Sequence, residues 1–221
     1  MLIHYKTCVE IMTACHGSAP TKVLHIGAHA GEEASFYSQQ GVQEVIWFEA
    51  NESLIPQLKK NVSAYAMRQQ IVPVALWSSN ETLRFNITNN VQSSSVFELN
   101  THSTHYPGIR VTEVKKVKAY RLEGLTGLRE PLLNFTDFEF VNIDTQGAEL
   151  AILKGFGSLI DQPSIKGIYL EVNREKLYKE IPLIEEIDEF MASHKLHRII
   201  SCWTNAGWGD AFYLRSREES C

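Results

Sequence analysis

The sequence predicts an α/β fold built on a mostly parallel sheet, and two patterns indicate it. Short apolar runs alternate with amphipathic segments at helical spacing, as they do in βαβ units. Several of these runs end in Gly, Asp or Glu, which is typical of a buried parallel strand that enters a turn. The 221 residues suit one domain, 1–221, with a single core.

The first part of the chain repeats the strand–helix unit. Apolar spacing indicates the helices, Gly and Pro mark their ends, and Asn51 or Ser53 is placed to cap one of them. We expect a helix within residues 1–20, strands at 22–27, 44–49 and 71–77, and helices at 31–40 and 53–65.

The pattern then changes. Alternating residues at 82–87 predict a hairpin strand, and a further strand is expected at 111–122. Between them, 88–110 is polar and irregular, which is typical of a lid or an acceptor-binding insert. Strands are expected at 138–144, 166–171, 198–203 and 211–214, the last two antiparallel because the turn between them is short, and helices at 149–159 and 184–194.

Charge and cysteine content limit the partners. The net charge of −5 disfavours a nucleic-acid partner, because phosphate binding usually requires a basic surface. The four cysteines form no CxxC pair, so we expect reduced thiols in a cytoplasmic protein. No apolar run approaches the roughly 20 residues that span a bilayer. The oligomeric state stays open.

A glycine turn follows the first predicted strand. Gly27 lets the backbone approach a ligand closely, and Gly31 lets the next helix start against the sheet. A dinucleotide fingerprint would have glycine at the positions of His29 and Glu32, where side chains crowd a pyrophosphate. A nucleoside without phosphates, such as S-adenosylmethionine, fits this turn better, although a plain strand–helix turn has the same pattern.

Two acidic strand ends complete the candidate site. Glu49 lies 22 residues after Gly27, where a carboxylate can accept hydrogen bonds from both ribose hydroxyls. Asp144 ends a buried strand at the same edge, and Gly147 permits a tight turn after it. Glu149 then opens a helix, where it serves either catalysis or only the helix dipole.

The stretches 23–31, 47–51, 74–79 and 143–155 resemble, in this order, those of the FkbM family of methyltransferases. The resemblance implies a class I, Rossmann-like methyltransferase fold with a mostly parallel seven-stranded sheet, an antiparallel last strand and a small hairpin insert. It also implies S-adenosylmethionine as cofactor and O-methylation of sugars or sugar-bearing natural products. The cofactor-binding positions expected from the motifs are His25, Gly27, Ala28, His29, Gly31, Glu49, Ala50, Asn51, Ala75, Leu76 and Asp144.

Two residues depart from the family pattern. His25 stands where the family often has an acidic residue, which affects contact with the amino acid end of the cofactor. Gln146 stands where the family often has Glu, which removes a charge and a metal ligand.

Methylation of a hydroxyl needs a general base. Asp144 is the first candidate, Glu149 and Glu171 are further catalytic candidates, and His29 is a weaker one. Asp144, Glu171 and Asp210 carry oxygens suited to magnesium, but we expect no obligatory metal.

The polar insert and the last turn carry aromatic and imidazole side chains. His102 and His105 have no third ligand nearby, so they indicate acceptor contacts or surface residues rather than a zinc site. Trp203 and Trp208 suit either a platform for a sugar ring or core packing.

Three functions compete. The first is O-methylation of a carbohydrate hydroxyl on a small-molecule or glycan acceptor. The second is a non-catalytic S-adenosylmethionine-binding module, which the changes at His25 and Gln146 favour. The third is a nicotinamide-dependent oxidoreductase, which the incomplete glycine fingerprint disfavours.

Overall fold

The computed structural model describes residues 1–125 and 134–217. Strands and helices alternate through most of the chain, as the apolar pattern predicts. The strands are β1 (Lys22–Ile26), β2 (Glu44–Phe48), β3 (Arg68–Val72), β4 (Ala75–Leu76), β5 (Glu81–Thr88), β6 (Val111–Tyr120), β7 (Phe140–Ile143), β8 (Gly167–Asn173), β9 (Leu196–Trp203) and β10 (Trp208–Arg215). The helices are α1 (Tyr5–His16), α2 (Ala34–Gln39), α3 (Ile55–Val62), α4 (His102–His105), α5 (Glu149–Gly155) and α6 (Ile184–Ser193).

Seven strands form the main sheet in the order β3-β2-β1-β7-β8-β10-β9. Neighbouring strands are parallel from β3 to β8, and β10 is antiparallel to both β8 and β9. This arrangement confirms the predicted mostly parallel sheet with an antiparallel last strand. The carboxyl ends of β2, β1, β7 and β8 therefore lie side by side along one edge.

Helices cover both faces of this sheet. One core cluster joins Val23, Val45 and Phe140 to Met12 of α1 and Leu58 of α3. The other cluster joins the opposite faces of the same strands to α5 and α6. This packing buries both sides of the central strands, which explains why they are continuous apolar runs rather than alternating ones.

The strand predicted at 71–77 is in fact two strands in two sheets. Pro73 has no N–H to donate, so the β2–β3 ladder ends at Val72. Ala75 and Leu76 instead pair with β6, which also pairs with β5, and these three strands form a second sheet in the order β4-β6-β5. The apolar pattern alone did not show this change of partner.

The polar insert at 88–110 packs on the loop after β8. Leu99 bridges to Tyr178, and the backbone N–H of Asn100 donates to the carbonyl of Leu177 at 2.8 Å. Leu177 and Tyr178 also form a small apolar cluster with Phe97, Leu99 and the indole of Trp208. The insert therefore has a defined place above the sheet edge.

Other sequence expectations concern the rest of the described chain. Cys8, Cys15 and Cys202 are free thiols, and Cys221 lies outside the described residues. None of the helices in the part that the structure describes is long and apolar enough to cross a bilayer.

Candidate functional site

A cavity of about 550 Å³ opens where the carboxyl ends of the parallel strands meet the insert. The structure brings most of the predicted site residues together in its wall, and three lie outside that wall: Ala28, Gly31 and Glu149. The predicted residues that line the cavity are His25, Gly27, His29, Glu49, Ala50, Asn51, Ala75, Leu76, Asp144 and Glu171.

Gly27 is required by the neighbouring strand. Its φ is +86°, and a Cβ at this position would lie 1.8 Å from the carbonyl oxygen of Asp144. The glycine therefore lets the loops after β1 and β7 approach each other at the cavity floor. Gly31 has a different role, since a Cβ there would lie 2.7 Å from Val62 and 2.8 Å from Leu58, both in α3.

The carboxylate of Glu49 fixes the turn. Its Oε2 accepts a hydrogen bond from the backbone N–H of His29, and its Oε1 accepts one from the N–H of Asn51, both at 2.7 Å. Burial raises the pKa of Glu49 above its usual value, and these two donors oppose the shift. His29 takes a left-handed φ of 44° to present its N–H.

Asn51 begins the next helical segment, as predicted. Its Oδ1 accepts hydrogen bonds from the backbone N–H and the hydroxyl of Ser53, at 3.2 and 2.7 Å. Its Nδ2 is buried and has no partner among the described residues. A buried donor without a partner is costly, so this amide is suited to a ligand in the cavity.

His25 is buried in a polar network on one face of the sheet. Its Nδ1 lies 2.8 Å from the hydroxyl of Tyr37, and that hydroxyl accepts a hydrogen bond from Nδ2 of Asn142 at 2.9 Å. Burial lowers the pKa of His25 to about 3, so the imidazole is neutral at physiological pH.

Gln146 connects the two carboxylates at the ends of β7 and β8. Its Nε2 lies 3.0 Å from Oδ1 of Asp144 and 2.9 Å from Oε2 of Glu171. Its Oε1 accepts a hydrogen bond from Tyr178 at 2.9 Å, and its carbonyl accepts one from Ser95 at 2.7 Å. Gln146 thus ties the insert to the strand ends, a role that the sequence did not reveal.

The two carboxylates have unusual acidities. Enclosure by the protein raises the pKa of Asp144 to about 6, although the Gln146 amide opposes the shift. Burial and the nearby charge of Asp144 raise the pKa of Glu171 well above its usual range. The site therefore brings together two carboxyl groups whose pKa values are raised, as is common for groups that take part in proton transfer.

Glu149 lies behind the loop rather than in the cavity wall. Its Oε1 accepts hydrogen bonds from the N–H and hydroxyl of Thr145, at 2.8 and 3.0 Å, and from the N–H of Gly147 at 3.2 Å. Burial raises its pKa to about 7. This position fits the helix-start alternative better than a catalytic role.

Aromatic and imidazole side chains line the part of the cavity under the insert. Trp208 donates from Nε1 to the hydroxyl of Tyr106 at 3.0 Å, and His102 packs against Tyr106 with 4.9 Å between ring centroids. Trp203 lies outside the cavity wall. The guanidinium carbon of Arg174 stacks over the Trp203 ring, 3.8 Å from the ring centroid. His105 points to Glu175, with 3.3 Å between Nε2 and Oε2.

A family model matches most of the sequence that forms this site. The model of the methyltransferase FkbM domain matches residues 25–198, from the glycine turn to β9. The chain belongs to the FkbM methyltransferase family. Its cofactor is accordingly S-adenosylmethionine, and its fold is the class I methyltransferase fold.

Solved structures share the fold of this FkbM methyltransferase. Magnesium protoporphyrin IX methyltransferase from Synechocystis PCC 6803, which was solved with bound S-adenosylmethionine, is similar with a TM-score of 0.52 and 11% identity over 96% of this chain and 77% of that chain. The methyltransferase domain of bacterial CtHen1-C has a TM-score of 0.50 and 7% identity over 96% of both chains. No curated protein matches the sequence.

The charge of the cavity suits the cofactor of an FkbM methyltransferase. Six carboxyl side chains line it, and none of the described lining residues is Lys or Arg. Such a wall favours the positive sulfonium and ammonium groups of S-adenosylmethionine and repels a pyrophosphate. The six are Glu32, Glu33, Glu49, Asp144, Glu171 and Asp210.

These acidic residues are not arranged around a common cation centre. Asp210 accepts hydrogen bonds from the N–H of Leu2 and the hydroxyl of Tyr169, so it is already engaged. Among residues 1–125 and 134–217, no group of three or more His, Cys, Asp or Glu side chains has the spacing of a metal site.

Proposed function

We propose that this FkbM methyltransferase methylates a hydroxyl group of a neutral, sugar-like acceptor. The observation that carries the proposal is the Asp144 carboxylate, which faces the cavity at the end of β7. Gln146 fixes its Oδ1, and no hydrogen bond recorded among the described residues uses its Oδ2. That oxygen is available to accept the proton of an acceptor hydroxyl.

The two carboxyl groups have different tasks in this proposal. Asp144, with a pKa of about 6, is ionised at neutral pH and is a stronger base than an ordinary aspartate. Glu171, whose pKa is raised by burial and by the charge of Asp144, holds a proton more readily than an ordinary glutamate, and in its protonated form it offers an O–H that orients the acceptor. S-adenosylmethionine supplies the electrophilic methyl group. As the C–S bond breaks and the C–O bond forms, the hydroxyl proton passes to Asp144.

The wall under the insert supports a neutral acceptor. Ser93 and Ser94 offer hydroxyls, and the indole of Trp208 offers an apolar face of the kind on which the C–H side of a sugar ring stacks. With Asp144 and Glu171 in the same cavity and no Lys or Arg among the described lining residues, a phosphorylated or carboxylated acceptor is repelled.

The first experiment compares cofactors by calorimetry. S-adenosylhomocysteine is expected to bind and to raise the melting temperature, because a ligand that binds only the folded state stabilises it. NAD is expected to do neither. The reverse order would replace the methyltransferase proposal by the oxidoreductase alternative.

The second experiment tests the acceptor. Methyl transfer is measured on neutral glycosides, on their phosphate esters, on amines and on RNA, with the wild type and with Asp144→Asn. We expect turnover on a neutral glycoside that Asp144→Asn lowers by about 10²- to 10⁴-fold, with cofactor affinity changed less than about threefold. Transfer to amines or RNA alone would refute the hydroxyl acceptor. Cofactor binding without turnover on any acceptor would favour the non-catalytic binding module.

A further inference from the structure

A second acidic residue lies in the cavity wall close to His25. Glu33 precedes α2, lines the cavity, and places Oε2 3.9 Å from Nε2 of His25. The inference below rests on the proposed function, because it concerns the binding of the same cofactor. It addresses the departure at position 25, where the family resemblance leads one to expect an acidic residue.

The hydrogen bonds around His25 identify its tautomer. Nδ1 faces two donors, the hydroxyl of Tyr37 at 2.8 Å and Nδ2 of Asn142 at 3.4 Å. Since Nδ1 must then be the acceptor, the proton of the neutral ring is on Nε2. The resulting N–H is directed to the side of the ring where Glu33 lies. His25 therefore offers a donor to Glu33 and has no negative charge of its own to offer a cation.

Asn142 adds an acceptor to the same wall. It is the register partner of His25 across β1 and β7, so both side chains emerge on one face of the sheet. Its Nδ2 donates to Tyr37, which leaves Oδ1 as a buried acceptor with no partner among the described residues. Asn142 is 2% exposed, so water does not readily satisfy this oxygen.

The carboxylate of Glu33 also lacks a strong partner. No Lys or Arg in the described chain forms an ion pair with it, and its distance to His25 exceeds that of a hydrogen bond. Burial raises the pKa of Glu33 above its usual value. Two groups oppose this shift in part: its own backbone N–H and the amino terminus at Met1, which lines the same cavity. An additional cationic donor at this point would satisfy Glu33 and Asn142 together.

The order of the strands sets the direction of the cofactor. Along the sheet edge, Glu49 follows β2, the glycine turn follows β1, and Asp144 follows β7. With the ribose at Glu49 and the methyl group near Asp144, the amino acid end lies over β1 and β7. His25 and Asn142 belong to these two strands, and Glu33 lies beside them.

We propose that Glu33 and Oδ1 of Asn142 bind the α-ammonium group of the cofactor. The negative charge is thereby supplied by the residue that precedes α2 instead of by the strand residue at position 25. The Nε2–H of His25 lies 3.9 Å from Oε2 of Glu33, so it favours the ionised carboxylate without a hydrogen bond to it.

The test compares two ligands on the Glu33→Gln variant by calorimetry. S-adenosylhomocysteine carries the α-ammonium group, whereas 5′-methylthioadenosine has the same nucleoside and thioether without the amino acid. We expect Glu33→Gln to weaken S-adenosylhomocysteine binding by about 10- to 100-fold and to change 5′-methylthioadenosine binding by less than about twofold. Retained binding of the second ligand also shows that the variant is folded.

A third ligand separates the ammonium from the carboxylate. The deaminated analogue of S-adenosylhomocysteine keeps the carboxylate, so the removal of negative charge in Glu33→Gln is expected to leave its affinity unchanged or to increase it. Glu52→Gln is the matched control, because Glu52 is exposed and lies outside the cavity wall, next to Asn51. It is expected to change S-adenosylhomocysteine affinity by less than about threefold.

Three outcomes overturn the inference. The first is an unchanged affinity of Glu33→Gln for S-adenosylhomocysteine. The second is an equal loss of affinity of this variant for all three ligands. An equally large effect of Glu52→Gln is the third, because it would indicate a general effect of negative charge rather than a contact. A wild type that binds none of the ligands would instead refute the cofactor site itself, so the two failures are distinguishable.

Discussion

The two ends of the cavity are built in different ways. At the cofactor end, Glu49 holds the N–H groups of Asn51 and His29, which are 2 and 20 residues away in sequence. At the acceptor end, Gln146 holds Tyr178 and Ser95, which are 32 and 51 residues away. The cofactor end therefore depends on one strand–helix–strand unit, whereas the proposed acceptor end depends on segments that only the folded chain brings together.

This difference has a chemical counterpart. The cofactor is the same for the whole family, so a local motif serves to bind it. The proposed acceptor wall contains the insert, which packs on the loop after β8 and contributes Ser93 and His102 to the cavity beside Trp208. Variation in one insert can thus change the acceptor without changing the cofactor site.

The largest expected effect comes from Gly27, where the two ends meet. Gly27→Ala places a Cβ against the carbonyl of Asp144 and adds the strain of a positive φ. Gly41 is the matched control, because its φ is +79° and no atom lies within 4 Å of its Cβ position. We expect a loss of about 1–2 kcal/mol in unfolding free energy for Gly41→Ala and of more than about 3 kcal/mol for Gly27→Ala.

Denaturant unfolding of both variants measures this difference, and calorimetry with S-adenosylhomocysteine follows the cofactor site. Equal losses of unfolding free energy in the two variants would mean that glycine is required at position 27 only for the positive φ, and not for the close approach of the loop after β7.

The second largest effect is expected for Glu49→Ala, which changes only the cofactor end of the cavity. Glu49→Ala removes the proposed ribose acceptor and leaves the N–H groups of His29 and Asn51 without their partner. We expect cofactor affinity to fall by about 100-fold, the value of two hydrogen bonds to a charged group, while the fold is kept. Calorimetry checks the affinity and circular dichroism checks the fold. Wild-type affinity in this variant would remove the ribose assignment.

Gln146→Glu changes the acceptor end alone. It replaces the amide that donates to Asp144 and Glu171 by another carboxyl group and restores the residue that the family often has. We expect the pKa of Asp144 to rise above about 6, so the acid limb of the kcat/KM profile moves to higher pH by roughly one unit.

The profile is measured with a neutral glycoside that the wild type methylates, and Gln146→Asn is the control because it keeps a neutral amide on a shorter side chain. An acid limb that stays in place would show that Asp144 is not the group that titrates.

The smallest effect concerns Glu149, behind the wall. Glu149→Gln keeps an oxygen that accepts the three hydrogen bonds of Thr145 and Gly147 but has no charge to bury. The pKa of Glu149 is about 7 in the folded protein and 4.5 in the unfolded chain, so the unfolded chain releases this proton at lower pH. The wild type therefore loses stability as the pH rises from about 4.5 to 7. The variant lacks this loss.

Unfolding free energies at pH 5 and pH 8 measure the effect, with Glu149→Ala as the control that loses the hydrogen bonds and about 1–3 kcal/mol. Turnover of Glu149→Gln is expected to stay close to that of the wild type. A large loss of turnover with normal stability would return Glu149 to the catalytic candidates.

Much of the fold was predictable because its signals are local. The apolar runs and the glycine turn identified β1, β2, β7 and β8. Asn51 or Ser53 was expected to cap a helical segment, and the structure shows that Asn51 does so. The strand at 71–77 was wrong because a run of apolar residues does not show which sheet it joins. Gln146 was noticed only as a missing charge, since three of its four partners, Ser95, Glu171 and Tyr178, lie in other segments.

The sequence by itself determined that most of the strands are parallel, the edge at which Gly27, Glu49 and Asp144 meet, and the family to which the chain belongs. These features follow from residue spacing, because the backbone of a βαβ unit brings strand ends together without reference to distant side chains. Only the tertiary structure decided which carboxylates face the cavity, why Glu149 does not, and how His25 and Glu33 are paired. Burial and hydrogen-bond partners set those roles, and both depend on residues far apart in the chain.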